Sequence, residues 1–313
     1  MPTTEAKRID VAVGVVFDAH GRVLLAQRQH GQHLAGLWEF PGGKQEPGET
    51  LAQTLSRELA EELGITVTHA APWKDIEHDY PECSVRLHFW QVTAFDGEAA
   101  GLLGQTLAWV LPRQLLGYPL PSPSRPIAHA LSLPDVYAIV DDHVFEDWLG
   151  AFTRRLDQGY RLLQARLKNT PPDQALYVVR QARKLADAAG AWLLINSAAP
   201  TCVHGLGHGL HLTARDLDLM TRRPDHCQWL AASCHSTQEL AKAQSLGVDF
   251  AVLGPVNASL THPDRPGIGW AAFASLTRAS ILPLYALGGM TVEHGSTAKQ
   301  HGGQGIAAIR SLT

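Results

Sequence analysis

The 313-residue chain has four cysteines, Cys83, Cys202, Cys227 and Cys234, and none of them stands in a CxxC pair. Such thiols read as reduced and mostly buried, in a cytosolic protein. Also missing is an apolar run able to span a bilayer. The opening MPTTEAKRIDVAVGVVF is far too short, and no cleavage-site pattern follows it. Strong charge of either sign is absent, with a net −4 and an isoelectric point near 6.5. Nothing global points to a nucleic-acid polymer or a membrane as partner. What remains, 45% apolar and 18% charged residues, is the composition of a cytoplasmic globular protein with ample core. The length favours two domains.

The boundary shows in GYPLPSPSRPIAHALSLPD, which places five prolines between Pro119 and Pro134. The expected domains are 1–131 and 132–313. In the first, VAVGVVF and RVLLAQR flank DAHG in a hairpin-like arrangement, a helix runs from Thr50 to Leu63, and SVRLHFWQVTAF and LAWV supply further strands. Strands grouped around a helix predict an α+β domain with a mixed sheet. In the second, VYAIV, RLLQARL, WLLIN, GLHLT, WLAASC, FAVLGPV, PLYALGG and GIAAIRSL alternate with helical stretches. Eight short strands in about 180 residues predict a (β/α)8 barrel with tight loops that lacks its last helix.

The densest chemistry lies in GKQEPGETLAQTLSRELAEELGI, from Gly43 to Ile65. Glu49 and Thr50 mark the helix start and Gly64 its stop. Leu51, Leu55, Leu59 and Leu63 form an apolar stripe, and Glu58 and Glu62 border that stripe instead of opposing it. Like charges at i,i+3 and i,i+4 repel by a few tenths of a kcal/mol per pair. Hard oxygen ligands crowded at the edge of a packed helix suit Mg²⁺ or Mn²⁺.

This stretch resembles the full Nudix box: Gly43, five residues, Glu49, seven residues, then Arg57-Glu58-Leu59, Glu61-Glu62 and Gly64-Ile65. The resemblance implies an α+β Nudix fold, with a mixed sheet between helices, that hydrolyses a nucleoside diphosphate linked to another group. It implies metal binding by Glu58, Glu61, Glu62 and a backbone carbonyl at Gly43. Arg57 would hold a carboxylate, and Glu49 would pair with Arg57 or brace the loop. Glu58 or Glu61 is the candidate for general base, a choice the sequence leaves open. RVLLAQRQ, LWEFPGGK, RLHFWQV and GQTLAWV are similar to the MutT-type branch, which cleaves 8-oxo-dGTP to 8-oxo-dGMP and pyrophosphate and so sanitises the nucleotide pool in DNA repair. That likeness places Arg28, Glu39 and Phe40 near the nucleotide. Four positions depart from it: Ser124 replaces a base-reading asparagine, Ala108 an acidic metal ligand, and Glu82-Cys83 an aspartate-arginine pair.

From Asp135 onward the chain resembles thiamine-phosphate synthase and its tautomerase-like relatives, an α/β TIM-type barrel. Gln164, Arg166 and Lys168 match its substrate-contacting strand, LLIN the strand ending at Asn196, and ASCHS the strand with Ser233 and His235. Gly288, Gly289 and the GGQG loop at 302–305 stand where such barrels hold phosphate. Yet Ser197 replaces a magnesium aspartate, His262 a pyrophosphate-clamping lysine, and Pro255 a tautomerase histidine. The expectation is a phosphate-ligand pocket without efficient synthesis. Two rivals are a bifunctional thiamine-pathway enzyme and a purely regulatory or structural barrel. The His204, His208 and His211 cluster invites a zinc reading, but its glycine-rich setting favours solvated loop histidines. GLGHG precedes a strand, the wrong context for a dinucleotide loop.

Overall fold

The first apolar run folds as strand β1 (Ile9–Val16) and the second as β2 (Val23–Gln27) in a computed structural model that describes residues 8–29, 31, 34–81, 83–225, 227–258 and 267–312. The chain divides into two units, Met1–Ser132 and Leu133–Thr313. The hairpin reading of β1 and β2 holds only locally. Asp18 closes the turn by accepting the N–H groups of His20 and Arg22, and one bridge joins Phe17 to Val23. Beyond it the strands part into different sheets.

The remaining elements of the first unit are β3 (Trp38–Glu39), β4 (Gly42–Lys44), α1 (Leu51–Leu63), β5 (Thr66–Asp79), β6 (Ser84–Asp96), β7 (Leu107–Val110) and α2 (Arg125–Ser132). A mixed sheet runs β4-β1-β6-β5 and a smaller antiparallel one β3-β2-β7. Strands β1 and β6 are parallel, with Ala12 opposite His88. The edge strand β5 was not legible in the sequence. TVTHAAPWKDIEHD is mostly exposed and carries Pro72, which an edge tolerates and a central strand does not.

Helix α1 packs Leu55, Leu59 and Leu63 against Ala12 and Val16 of β1 and Val92 of β6. These leucines are at most 1% exposed, each contributing about 1.5–3 kcal/mol by leaving water. Leu51 is only half-buried, and Thr54 takes the fourth buried position on the helix. Thr50 caps the N-terminus in a reciprocal box with Gln53, and Gly64 ends the helix in the left-handed region at φ 69°.

The second unit is a closed barrel of eight parallel strands: β8 (Val136–Asp141), β9 (Leu162–Arg166), β10 (Trp192–Asn196), β11 (Gly209–Leu212), β12 (Trp229–Cys234), β13 (Phe250–Leu253), β14 (Leu284–Leu287) and β15 (Gly305–Ala308). Helices α3 (Trp148–Asp157), α4 (Pro172–Ala188), α5 (Ala214–Leu219), α6 (Thr237–Ser245), α7 (Gly269–Arg278) and α8 (His294–Gln300) serve as crossovers. A short 3-10 helix, Thr201–Leu206, takes that place between β10 and β11. No helix follows β15 among the described residues. The lumen is filled: Tyr137, Trp229, Phe250 and Tyr285 are at most 1% exposed and pack ring to ring, Phe250 lying 5.3 Å from Tyr137 and 5.5 Å from Tyr285. Polar chemistry is thereby confined to the strand ends and to a few buried hydrogen bonds.

Candidate active site and barrel mouth

Strand β4 brings the glycine loop onto β1, and α1 lays its carboxylates beside it. Gly42 sits at φ 148°, where an added Cβ would lie 2.1 Å from the Ala12 carbonyl oxygen. At Gly43 a Cβ would meet the Glu58 carboxyl carbon at 2.1 Å. The Glu58 carboxylate therefore rests directly on the Gly43 backbone, and any side chain there would displace it.

Arg57 organises the cluster. Its Nε donates to Glu49 Oε1 at 2.7 Å and one terminal nitrogen to Glu49 Oε2 at 3.0 Å, a bidentate fork. The other terminal nitrogen reaches Glu58 at 2.9 Å and Glu61 at 3.3 Å. Glu49 also accepts from the Thr54 hydroxyl at 2.8 Å and the Glu46 N–H at 3.2 Å. It thus both pairs with Arg57 and braces the loop. The Arg57 hydrogen bonds hold Glu49 down at about 2, and Glu49 in turn raises Arg57. Thr54 and the Lys44 carbonyl, which accepts from Arg57 at 3.2 Å, went unnoticed in the sequence because neither carries a pattern of its own.

Negative charge here exceeds what one arginine offsets. Burial first, then the neighbouring Glu58 and Glu39, push Glu62 up to about 7, although the Gly42 N–H donates to it. Among the described residues no three His, Cys, Asp or Glu side chains already converge on one point. Arg57 draws Glu58 and Glu61 to itself, and Glu61 is 61% exposed at its side chain. The donor set nonetheless fits a hard divalent cation: carboxylate oxygens, an adjacent glycine backbone, and a carboxyl whose charge the present neighbours disfavour.

Arg28 and Glu39 form one unit. Arg28 Nε and a terminal nitrogen both reach Glu39 Oε2, at 2.7 and 2.6 Å. Burial raises Glu39 and Arg28 opposes that rise. Phe40 is 3% exposed and packs edge-on to Phe89, centroids 6.0 Å apart. Ser124 is buried in the 3-10 turn Ser122–Ser124, which packs against β5. Glu82 lies outside the described residues; Cys83 and Cys202 are not buried, whereas Cys227 and Cys234 are.

In the barrel, polar side chains answer one another. Arg166 pairs with Asp141, and Lys168 is exposed, next to Asp142 and Arg166. Ser197 donates its hydroxyl to Asp216, which also accepts from Thr213 at 2.7 Å. Gln164 and Asn196, expected at a ligand, point inward and bond each other at 3.0 Å. His235 Nδ1 meets the Gly254 carbonyl. Gly288 and Gly289 are packed against protein: a Cβ would meet Pro255 at 2.6 Å and the Ala258 oxygen at 2.7 Å respectively. Their freedom from side chains serves this close approach. His262 lies outside the described residues.

The histidine trio separates, which corrects the expectation of solvated loop residues. His204 bonds the Ala199 carbonyl at 2.9 Å, and His208 bonds Asp187 and the Leu193 N–H. His211 is 1% exposed inside the barrel. Among the described residues no helix is long and apolar enough to cross a membrane.

A carboxylate-bearing helix against a glycine loop, followed in the chain by a closed parallel barrel, defines a hydrolase of two compact units. Family comparison specifies both halves. The Nudix domain model matches residues 12–130 and the thiamine monophosphate synthase model residues 136–312, more than half of the chain. The chain belongs to the Nudix family by its N-terminal domain and to the thiamine monophosphate synthase family by its barrel. An 8-oxo-dGTP diphosphatase of Proteus vulgaris is 44% identical over 94 residues, 30% of this chain and 84% of that relative. A CTP pyrophosphohydrolase of Escherichia coli is 40% identical over 124 residues, 40% of this chain and 91% of that one. A putative thiamine-phosphate synthase of Aquifex aeolicus is 28% identical over 181 residues, 57% of this chain and 97% of it.

Proposed function

We propose that the N-terminal domain is a Mg²⁺- or Mn²⁺-dependent pyrophosphohydrolase of oxidised purine nucleoside triphosphates, converting 8-oxo-dGTP to 8-oxo-dGMP and pyrophosphate. In the same reading the barrel is a phosphate-ligand module without efficient thiamine-phosphate synthesis, and both domains work in the cytoplasm. The observation that carries the hydrolase is the single Arg57 guanidinium tying Glu49, Glu58 and Glu61 beside a glycine loop, with Glu62 left short of positive charge.

Glu58, Glu61, Glu62 and the Gly43 carbonyl are the groups that would hold the cation. When bound, it supplies positive charge against the phosphate oxygens and eases ionisation of the attacking water. Glu58 or Glu61 accepts the proton that water loses. Water oxygen bonds to phosphorus, the bridge between the α and β phosphorus atoms breaks, and its oxygen leaves on one product. Arg57 keeps the base aligned, and Glu49 fixes Arg57. Arg28, braced by Glu39, and Phe40 meet the nucleotide.

The 40% identical CTP pyrophosphohydrolase makes CTP the competitor to test. Purified protein, given 8-oxo-dGTP, dGTP and CTP in competition, is expected to show the highest kcat/KM for 8-oxo-dGTP. Preference for CTP would overturn the substrate assignment while leaving the hydrolase intact.

A further inference from the structure

Helix α4 turns one stripe of side chains away from the barrel. Asp173, Tyr177, Arg180 and Lys184 follow one another at spacings of four, three and four residues. At roughly 100° per residue they fall within an arc of about 60°. The buried side chains of the helix, Ala175, Val179, Ala182 and Ala186, lie on the opposite side. All four stripe residues are exposed, and Tyr177 keeps 61% of its surface in water. None of the four is held by a hydrogen bond or an ion pair to a described residue. The nearby acid does not serve them, because Asp187 is taken by Arg183 at 2.9 Å and by His208. Arg180 and Lys184, four residues apart, repel each other across one turn.

An exposed tyrosine or a solvated charge is ordinary by itself. The order of these four is not. Reversing the helix about a midpoint between Val178 and Val179 sets Asp173 opposite Lys184 and Tyr177 opposite Arg180. The spacing is that of packed helices in a heptad seam, and it is the same in both directions. A two-fold axis through that midpoint, perpendicular to α4, therefore brings two copies together antiparallel. Each Asp173 carboxylate then meets the Lys184 ammonium of the other copy, about 8 Å from the axis. Each Arg180 guanidinium lies over the Tyr177 ring of the other copy. An open groove lined in part by Leu176 and Leu206 runs beside Tyr177, Arg180 and Lys184. It adds apolar area to the charged pairs.

We propose that the outer face of α4 is a homodimer contact, whose partner is a second copy of this chain packed antiparallel through the same stripe. An acidic peptide would satisfy Arg180 and Lys184 but would meet Asp173 on the same face. A copy of the stripe satisfies all four residues. One helix pair covers less than a standard interface, so the association is weak and depends on concentration. The proposal stands apart from the hydrolase and barrel-ligand readings.

Sedimentation velocity on the full chain tests it. The native weight-average mass should rise from monomer toward dimer between about 1 and about 100 µM. It should fall back in ~0.5 M salt. Asp173→Lys and Lys184→Glu each set like charges opposite one another at both ends of the contact. Each should weaken association at least about tenfold. Mixed in equal amounts, the two variants offer opposite charges at both ends, and dimer should return. The double variant should dimerise with itself. Tyr177→Ala should weaken association by about tenfold, and Tyr177→Phe, which keeps the ring, should not. Thermal unfolding should stay at the native midpoint in every variant, since these side chains are exposed.

A native protein that stays monomeric to about 100 µM would overturn the contact. A native dimer that neither charge reversal weakens would place its interface elsewhere and overturn it equally. Weakening in both single variants without recovery in the mixture would overturn the antiparallel pairing of Asp173 with Lys184.

Discussion

The two polar sites differ in how their charges are balanced. At the N-terminal site one guanidinium serves three carboxylates, and burial, then nearby like charge, pushes Glu62 up to about 7. At the barrel mouth Asp141 has Arg166, and Asp216 has the hydroxyls of Ser197 and Thr213. The first arrangement sets more carboxylates together than its one guanidinium neutralises. The second is satisfied within the protein. Unbalanced charge on a rigid helix is an expense that folding alone does not explain, and it points to a ligand.

The largest expected effect comes from removing a carboxylate from the unbalanced site. Glu58→Gln or Glu61→Gln should lower turnover of the triphosphate at least about a hundredfold, the usual loss for a proton-transfer or electrostatic group. Thermal unfolding should stay near native, since neither residue is among the buried core side chains. Near-normal turnover in both variants, at saturating Mg²⁺, would remove them from catalysis.

Glu62 provides a pH test of the same imbalance. Its folded value, about 7, lies above the ordinary carboxylate value of 4.5. The folded state therefore binds this proton more tightly than the unfolded chain. The resulting stability is present below about pH 4.5 and is lost as pH rises through about 7. The shift caps the effect at about 3 kcal/mol, and solvent screening reduces it. Metal-free protein should lose stability over that window, Glu62→Gln should flatten the loss, and Mg²⁺ should reverse it. A flat native profile would contradict the crowding described for Glu62.

Much of this was legible in the sequence for a physical reason. The Leu55, Leu59, Leu63 spacing and the Thr50 and Gly64 caps are local signals, and they gave α1 its bounds. All eight barrel strands were recognisable because buried parallel strands are short apolar runs. Edge strand β5 was not, since solvent on its faces removes the apolar pattern. The side-chain partners were the least legible. Gln164 and Asn196 look like ligand contacts in one dimension. Only barrel closure shows that they face each other, and only the turn at Ala198 fixes which atom each presents. The Gly288 and Gly289 pair likewise has a packing reason for glycine that one dimension does not show, since a Cβ there would meet Pro255 and the Ala258 oxygen.

A smaller effect should follow from pushing the barrel toward the hydrolase condition. Ser197→Asp removes a hydroxyl donor from Asp216 and places a second carboxylate beside it. Without metal the variant should be less stable than the native protein, by about 1 kcal/mol, as for a half-buried carboxylate that loses one of its hydrogen bonds. Mg²⁺ should restore much of that loss. Synthesis from the pyrimidine pyrophosphate and thiazole phosphate pair is expected to be undetectable in the native protein, and restoring one ligand should not start it. Robust native turnover would show that other residues carry the metal and pyrophosphate roles.

The smallest effect expected is in base selection. Ser124 is buried in its turn and its hydroxyl makes no hydrogen bond to a described residue. A serine hydroxyl is short, and its single proton must choose one acceptor. An amide presents a donor and an acceptor side by side and so matches a base edge with both. One added hydrogen bond is worth about 0.5–1.5 kcal/mol net, so Ser124→Asn should raise the 8-oxo-dGTP to dGTP ratio of kcat/KM by roughly threefold to tenfold. The gain should appear in the ratio, because the substitution leaves alone Glu58 and Glu61, the residues proposed to carry turnover. Measuring both nucleotides in both proteins decides the point. An unchanged ratio would place Ser124 away from the base, and the turn Ser122–Ser124 would then serve only to cover β5.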